Sequence, residues 1–319
     1  MFQCRVCSSK AESKRFLARE MMFGTREEFE YVECADCRSA QIAMIPPPEG
    51  IARHYPADYF SFNKHSEQKL KARFKRVLAS IRNQHVLNKP NLLGALLAKL
   101  RAPPPLFDLF KRVGVRPSAS ILDVGCGDGA ILDELASAGF RNLLGADPLI
   151  QREMVTPNGV KIQRTTLENV LGQFDIVMFN HSLEHVPDPI ETLKAAHTKL
   201  RPGGICIVRS TTTSSEAWDR YGKDWIQLDP PRHFVAPSRS GMAIMGQRSG
   251  FVLEQTIDDS YGFQFWGSEQ YQCDIPLIRD GHSEPLFSKR KLAECERMAS
   301  EANASSRGDQ AIFLFRRGS

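Results

Sequence analysis

The stretch Ile121-Leu122-Asp123-Val124-Gly125-Cys126-Gly127-Asp128-Gly129-Ala130-Ile131-Leu132 decides the fold. Its first four residues predict a buried parallel strand, its alternate glycines predict a tight turn, and its last residues predict the start of a helix. Glycine lets the backbone pass close to a ligand because it has no Cβ atom. The free N–H groups and positive dipole end of a helix N-terminus favour a ligand rich in hydrogen-bond acceptors. The stretch therefore predicts a cradle for a nucleotide cofactor.

The spacing of the glycines distinguishes between cofactors. The dinucleotide fingerprint requires glycine at the first, third and sixth positions, whereas here Ala130 stands sixth and Gly129 fifth. The string Leu-Asp-Val-Gly-Cys-Gly-Asp-Gly instead resembles motif I of the class I S-adenosylmethionine-dependent methyltransferases. This resemblance implies an α/β, Rossmann-like fold with a doubly wound, mostly parallel seven-stranded sheet. A glycine turn without a ligand is the alternative.

The resemblance also assigns residues of the turn to the cofactor. Gly125 and Gly127, with Cys126 between them, are expected to flank the methionine moiety. Asp123 is expected to orient the cofactor's amino end.

Four further cofactor residues are expected at the ends of later strands. Asp147 ends a second predicted strand, 22 positions beyond Gly125, where an acid can accept hydrogen bonds from both ribose hydroxyls. In similar methyltransferases the residues after the third strand lie along the adenine, which implies roles for Thr166 and Leu167. Asn180 ends the fourth strand and is assigned to the cofactor as well. A turn or cap role for Asp147, and a capped helix start at Thr166, are the alternatives.

The methyl acceptor is expected beside three histidines. His181-Ser182-Leu183-Glu184-His185-Val186 contains a Leu-Glu-His-Val run that resembles the stretch after strand four in small-molecule methyltransferases. Because histidine titrates near neutral pH, His181 or His185 could take a proton from the acceptor, or merely order the loop. Similar bacterial enzymes carry a Pro-Arg-His stretch, here Pro231-Arg232-His233, which implies an anion-binding Arg232 and His233 as another candidate base.

Beyond the third strand the resemblance continues to about residue 260. A Leu-Arg-Pro-Gly-Gly turn at 200–204 precedes a fifth strand, and Phe251–Ile257 is the sixth. The apolar run Gln310–Phe315 is expected to pair antiparallel with the sixth strand. Residues 261–309 then form an insertion.

Cys4, Cys7, Cys34 and Cys37 form two Cys-x-x-Cys pairs separated by 26 residues. Two such turns can aim four thiolates at one point, so the spacing predicts a structural, four-thiolate Zn²⁺ site. A module of about 40 residues is too small for a sufficient core of its own, and a closed four-sulfur site leaves no position for catalysis. Zinc is therefore expected to stabilise a small β module.

Between Lys64 and Arg101 the sequence has ten Lys or Arg and one acid, a net charge of +9, while the rest of the chain is at −4. The leucines of residues 64–101 fall at the spacing expected of a helix. Three interpretations of residues 64–101 remain open. The first is helices packed on the catalytic domain, and the second is a contact with membrane phospholipid or an anionic lipid carrier. The third is a patch that binds nucleic acid.

We predict three regions: a zinc-binding module at 1–48, an aromatic and basic helical region at 49–105, and a methyltransferase domain at 106–319 with the insertion at 261–309. No apolar run approaches the roughly 20 residues that cross a bilayer, and no signal pattern opens the chain, so a cytoplasmic protein is expected.

The function expected by resemblance is methyl transfer to a small-molecule or sugar/glycan acceptor. An RNA methyltransferase and a non-catalytic cofactor-binding scaffold are the competing hypotheses. A nucleic-acid partner is disfavoured because no aromatic-plus-basic RNA-reading motif is present.

Overall fold

The structure is a computed structural model that describes residues 2–55, 69–279 and 281–318. Its strands in this part of the chain are β1 (Glu12–Arg19), β2 (Glu28–Cys34), β3 (Ala40–Ile42), β4 (Ser120–Val124), β5 (Asn142–Ala146), β6 (Met154–Val155), β7 (Lys161–Gln163), β8 (Phe174–Asn180), β9 (Leu200–Thr211), β10 (Val235–Ala236), β11 (Phe251–Asp258) and β12 (Gln310–Arg317). The helices are α1 (Pro48–Ala52), α2 (Lys69–Leu87), α3 (Leu92–Leu100), α4 (Pro105–Arg112), α5 (Ala130–Ser137), α6 (Pro189–Lys199), α7 (Glu216–Tyr221), α8 (Arg239–Arg248), α9 (Phe263–Gln272) and α10 (Lys289–Ala304).

The described residues form two compact units, each assembled from separate stretches of the chain. The first, which we call the composite unit, contains residues 2–55, His181–His197 and Ile207–Gly318. The second, the cradle unit, contains residues 69–180 and Thr198–Cys206. Strand β9 is divided between the two units: its residues up to Cys206 belong to the cradle unit, and those from Ile207 belong to the composite unit.

The cradle unit is built on a mostly parallel sheet with the order β8-β4-β5-β7-β6. β4 pairs in parallel with β5 and β8, β5 pairs in parallel with β7, and only β6 is antiparallel. Ile121, Leu122 and Val177 are fully buried, as expected for parallel strands that are covered on both faces. Because parallel strands run in one direction, the residues after β4, β5 and β7 lie at the same edge of the sheet.

The composite unit holds two antiparallel arrangements. β1, β2, β3 and β10 form a four-stranded sheet in that order, in which β10 pairs with β3 through Val235 and Gln41. β11 pairs antiparallel with β12, which neighbours β9. The pairing of the chain terminus with strand six is therefore confirmed.

The α/β fold class is confirmed, and the sheet of the cradle unit contains one strand that was not predicted. The additional strand is the two-residue β6, which is too short to give a sequence signal. The Arg201–Gly204 turn is counted within β9, where Gly203 has a φ of +73° and bends the strand.

Two segments differ from what their sequence alone indicates. Residues 19–23 are rich in apolar side chains, but β1 ends at Arg19, and the Glu20 carboxylate accepts hydrogen bonds from the backbone N–H of Phe23 and of Thr25, which curls the chain. Residues 279–309 gave no clear pattern, yet they contain α10, whose buried stripe consists of small side chains. Residues 56–68, which include the start of the basic segment at 64–101, lie outside the described residues.

Candidate functional site

The turn between β4 and α5 is built on glycines in the left-handed region. Gly125, Gly127 and Gly129 have φ values of +70°, +55° and +74°, which residues with a Cβ atom rarely adopt. The Gly125 N–H donates to the carbonyl of Ala146, and the Gly127 N–H donates to Asp147 Oδ2 at 2.8 Å. The glycine turn is thereby fixed to the end of β5.

Asp147 is buried and already holds two backbone groups. Besides the Gly127 N–H, it accepts the Leu149 N–H on Oδ1 at 2.8 Å. An ionised carboxylate has about four acceptor positions, so each oxygen can accept one further hydrogen bond. The side chain is therefore rigid and retains capacity for hydroxyl donors.

Asp123 lies in β4, two positions before Gly125, and is buried. Burial, together with the negative charge of Asp147, raises the pKa of Asp123 to about 8. Its Oδ1 has no hydrogen-bond partner among the described residues, and the same holds for Oδ2 of Asp128. Buried carboxylates without partners are costly unless a cation or donor compensates them. The turn therefore fits a ligand that carries positive charge and hydrogen-bond donors.

The remaining predicted cofactor residues surround the same strand ends. Leu167 is buried and begins a 3₁₀ turn, Leu167–Asn169, directly after the exposed Thr166. The Thr166 hydroxyl does not cap this turn but accepts the amide of Asn169 at 3.3 Å. Cys126 and Asn180 are half-buried, in the glycine turn and at the end of β8 respectively.

A second cluster of polar groups lies in the composite unit, in the loop that follows β8 in the chain. His181 adopts a left-handed φ of +52°, which is uncommon for a residue other than glycine. Its Nδ1 lies 3.2 Å from Glu184 Oε1, while the other Glu184 oxygen accepts the hydroxyl of Ser210 at 2.9 Å. Glu184 is thus fully buried and held on both sides.

The protonation of two neighbouring histidines follows from their partners. His185 Nδ1 lies 2.9 Å from the carbonyl oxygen of Arg232, and His233 Nδ1 lies 2.7 Å from that of Gln227. Because a carbonyl oxygen only accepts, each Nδ1 carries a proton, and in the neutral ring of His185 the Nε2 atom is unprotonated. The two ring centroids are 4.7 Å apart, and the Tyr55 hydroxyl lies 3.0 Å from His185 Nδ1.

Electrostatics keep Glu184 ionised and His185 neutral. Burial would raise the pKa of Glu184, but the hydrogen bond to His181 and the neighbouring imidazoles lower it to about 2. Burial, then the nearby His233, lowers the pKa of His185 to about 4, so this ring is neutral at physiological pH. Glu184, His185 and His233 each have a potential metal-ligand atom within 4.8 Å of the others, so the three side chains are close enough together to bind one cation.

Arg232 does not have the anion-binding role expected of it. Its side chain is fully buried and donates two hydrogen bonds to Asp229, at 2.9 and 2.6 Å, and one to Glu20 at 2.8 Å. Burial alone would lower its pKa, but these two carboxylates hold the pKa of Arg232 above its usual value. It is a structural cation, since its guanidinium has no exposed surface for an acceptor.

Comparison with known proteins identifies the family. A family model described as a methyltransferase domain matches residues 101–256. A ubiquinone biosynthesis O-methyltransferase of Azotobacter vinelandii is 36% identical over 183 residues, which cover 47% of this chain and 78% of that protein. This chain belongs to the class I S-adenosylmethionine-dependent methyltransferases.

Other relatives of this methyltransferase carry the same name. The Pseudomonas aeruginosa protein is 32% identical over 160 residues, 44% of this chain and 68% of that one. The match to the Erwinia tasmaniensis protein covers 44% of that protein's length. A solved S-adenosylmethionine-dependent methyltransferase from Mesorhizobium loti matches with a TM-score of 0.44 and 18% identity, over 65% of this chain and 95% of that chain.

The four N-terminal cysteines of the methyltransferase converge as the spacing predicted. Their sulfur atoms lie within 4.8 Å of one another, with 3.6 Å between Cys4 and Cys37 and between Cys7 and Cys34. A tetrahedron of thiolates about 2.3 Å from zinc has edges of about 3.8 Å. A disulfide would need about 2.05 Å. The cluster therefore fits one zinc ion.

Several supporting residues were not found from the sequence. Tyr31 of β2 donates its hydroxyl to the His233 carbonyl at 2.7 Å, and the Phe234 carbonyl accepts the Ile42 N–H at 3.0 Å. Ser210 and Glu20 likewise act from distant points of the chain. Only a prediction of the tertiary fold could have connected them, because none belongs to a motif.

Within the described part of the chain, every helix is too short or too polar to traverse a bilayer.

The buried Asp123 should make the unliganded protein less stable as pH rises. Its folded pKa of about 8 exceeds the usual value of 3.8, so its contribution is complete below pH 4 and is lost between about pH 4 and 8. We expect Asp123→Asn to flatten the decline by about 1 kcal/mol per pH unit in that window. Urea unfolding of both proteins from pH 5 to 8 measures this, with the exposed Asp108→Asn as control. Parallel curves for all three proteins would contradict the raised pKa.

Proposed function

We propose that this methyltransferase transfers the methyl group to a hydroxyl oxygen of a small-molecule acceptor. The observation that supports the proposal most directly is His185, whose Nδ1–H is held by the Arg232 carbonyl so that Nε2 is the basic nitrogen of the neutral ring. The relatives named above are O-methyltransferases, which agrees with such a base. A sugar or glycan acceptor remains a hypothesis within this class.

The composite unit supplies the acid–base chemistry in this proposal. His185 Nε2 takes the proton of the acceptor hydroxyl, and the buried carboxylate of Glu184 stabilises the imidazolium that forms. The Arg232 carbonyl fixes the ring's tautomer through Nδ1. His233 and His181 orient the cluster, the first through its 4.7 Å ring contact and the second through its bond to Glu184.

We assign the binding of S-adenosylmethionine to the cradle unit. S-adenosylmethionine supplies an electrophilic methyl group on a sulfonium when bound. The unpaired, buried carboxylate of Asp123 suits the cofactor's cationic amino end, and the remaining acceptor positions of Asp147 suit the ribose hydroxyls. Gly125, Cys126 and Gly127 line the methionine, while Thr166, Leu167 and Asn180 are assigned to the adenosine side.

Replacing Asp147 should weaken cofactor binding. Asp147→Ala removes the ribose acceptors and the Gly127 anchor, and we expect the dissociation constant for S-adenosylmethionine to rise at least 10-fold, the loss of about two hydrogen bonds. Calorimetric titration measures the constant, with the exposed Asp108→Ala as the control. An unchanged constant in a folded Asp147→Ala protein would remove the ribose assignment.

Replacing His185 should abolish turnover without preventing cofactor binding. We expect His185→Asn to lower kcat by about 100-fold or more, because positioned bases contribute about that much, while the dissociation constant for S-adenosylmethionine changes less than about threefold. The exposed His282→Asn serves as the matched control. Transfer from methyl-labelled cofactor is followed into phenols, sugars and RNA.

The distribution of label also separates the competing functions. Label in hydroxyl compounds supports the proposal, whereas label in RNA alone would replace it with RNA methylation. No transfer to any fraction of a cell extract, with the cofactor bound, would favour a scaffold. Activity that requires an added divalent cation while the cysteine cluster is intact would assign Glu184, His185 and His233 to that cation instead.

We further propose that Cys4, Cys7, Cys34 and Cys37 hold structural zinc that keeps β2 and β3 in place beneath the His233 loop. The supporting contacts are the Tyr31 hydroxyl on the His233 carbonyl and the pairing of β3 with β10. Four thiolates fill the tetrahedron, so the ion has no open position for substrate.

Loss of one thiolate should therefore remove the metal, stability and activity together. We expect Cys34→Ser to lower the zinc content from about one ion per chain towards zero and to lower Tm by more than about 5 °C, because metal binding contributes folding free energy. Metal analysis and calorimetry measure these changes. The exposed Cys273→Ser is the control. Full zinc content in Cys34→Ser would rule out the four-thiolate site.

A further inference from the structure

Helix α3 in the cradle unit exposes an unusual amount of apolar surface. Leu92, Leu93, Leu96 and Leu100 are 93%, 50%, 55% and 75% exposed. The nine-residue helix has one charged residue, Lys99. Single exposed leucines are ordinary, but four on one short helix mark an interaction surface.

The four leucines share one face of α3. At about 100° per residue they fall within an arc of about 100°, with Gly94 on the opposite side. Gly94 packs against α2, since a Cβ atom there would come within 2.3 Å of His85 Cβ and 2.8 Å of the Ile81 carbonyl. The close approach of α3 to α2 therefore turns the leucine face outward.

Positive charge surrounds this face. Residues 75–101 contain six Lys or Arg and no acid. Arg82 is buried and pairs with Glu134 at 2.8 Å, so its charge is compensated within the fold. Lys89, Lys99 and Arg101 are exposed near the two ends of α3. An apolar stripe with cationic ends is complementary to a surface that is both apolar and negatively charged.

We propose that α3 docks on the surface of an anionic lipid bilayer, with its leucines at the boundary between headgroups and acyl chains. Lys89, Lys99 and Arg101 then meet lipid phosphates. A helix of nine residues is about 14 Å long, so it lies in the interface and does not span the membrane. This inference does not rest on the proposed function, because it uses neither the cofactor turn nor the histidines.

Two other occupants fit these observations less well. A second copy docked symmetrically through α3 would bring the same cations together, and like charges oppose such a contact. A nucleic acid would satisfy the cations but would leave the leucines in water. A bilayer with anionic headgroups accommodates both features at once.

Flotation with vesicles tests the proposal on the full chain. We expect binding to phosphatidylglycerol–phosphatidylcholine vesicles, and at least tenfold less binding to phosphatidylcholine alone. Leu92→Ser with Leu96→Ser should reduce the anionic binding at least tenfold, as should Lys89→Glu with Lys99→Glu. Leu171→Ser, at a leucine that is 88% exposed elsewhere in the same unit, is the matched control and should bind like the parent.

Three results would overturn the inference. The first is no vesicle binding by the parent protein at low salt. The second is equal loss with Leu171→Ser, which would mean that any exposed leucine contributes. The third is concentration-dependent self-association, measured without vesicles, that the two leucine substitutions abolish, since α3 would then be a contact between copies. Unfolding curves that match the parent's confirm that the variants are folded.

Discussion

The composite unit depends on one buried cation. Arg232 has no exposed surface and joins Asp229, from its own loop, to Glu20, from the loop between β1 and β2. Removing one member of such a buried network leaves an unpaired charge in the interior, at a cost of about 3–5 kcal/mol. The network therefore fixes where the loop carrying His233 lies relative to the first strands of the chain. It also holds the Arg232 carbonyl, which orients His185.

This constraint changes how the cysteine cluster is understood. Considered as sequence, the first 48 residues look like an independent appendage that precedes a catalytic domain. In the structure, the sheet of that segment is completed by β10, whose two residues follow Phe234 directly. Ser238 also donates to the Cys37 carbonyl, and Thr213 donates to the Arg38 carbonyl at 2.8 Å. The cysteine turns are thus part of the framework that supports the histidine loops.

The parts of the fold that could be predicted are those encoded by short stretches. The glycine turn, Asp147 and the two Cys-x-x-Cys pairs each state their geometry within a few residues, because backbone freedom, strand direction and thiolate spacing are local properties. The fate of Arg232 could not be predicted in this way. An arginine in a Pro-Arg-His loop appears available to a ligand until the fold brings Glu20, 212 positions away, against it. The same limit applies to α10, where small buried residues replace the leucines that usually reveal a helix.

The order in which these pieces leave the ribosome follows from the same arrangement. The last of the four cysteines, Cys37, is made about 200 residues before β10, which completes their sheet. At about 5–20 residues per second, the nascent β3 edge waits some 10–40 seconds for its partner. A metal bound early would hold β2 and β3 together during the delay, when the unpaired edge of β3 is otherwise able to pair with strands of neighbouring chains.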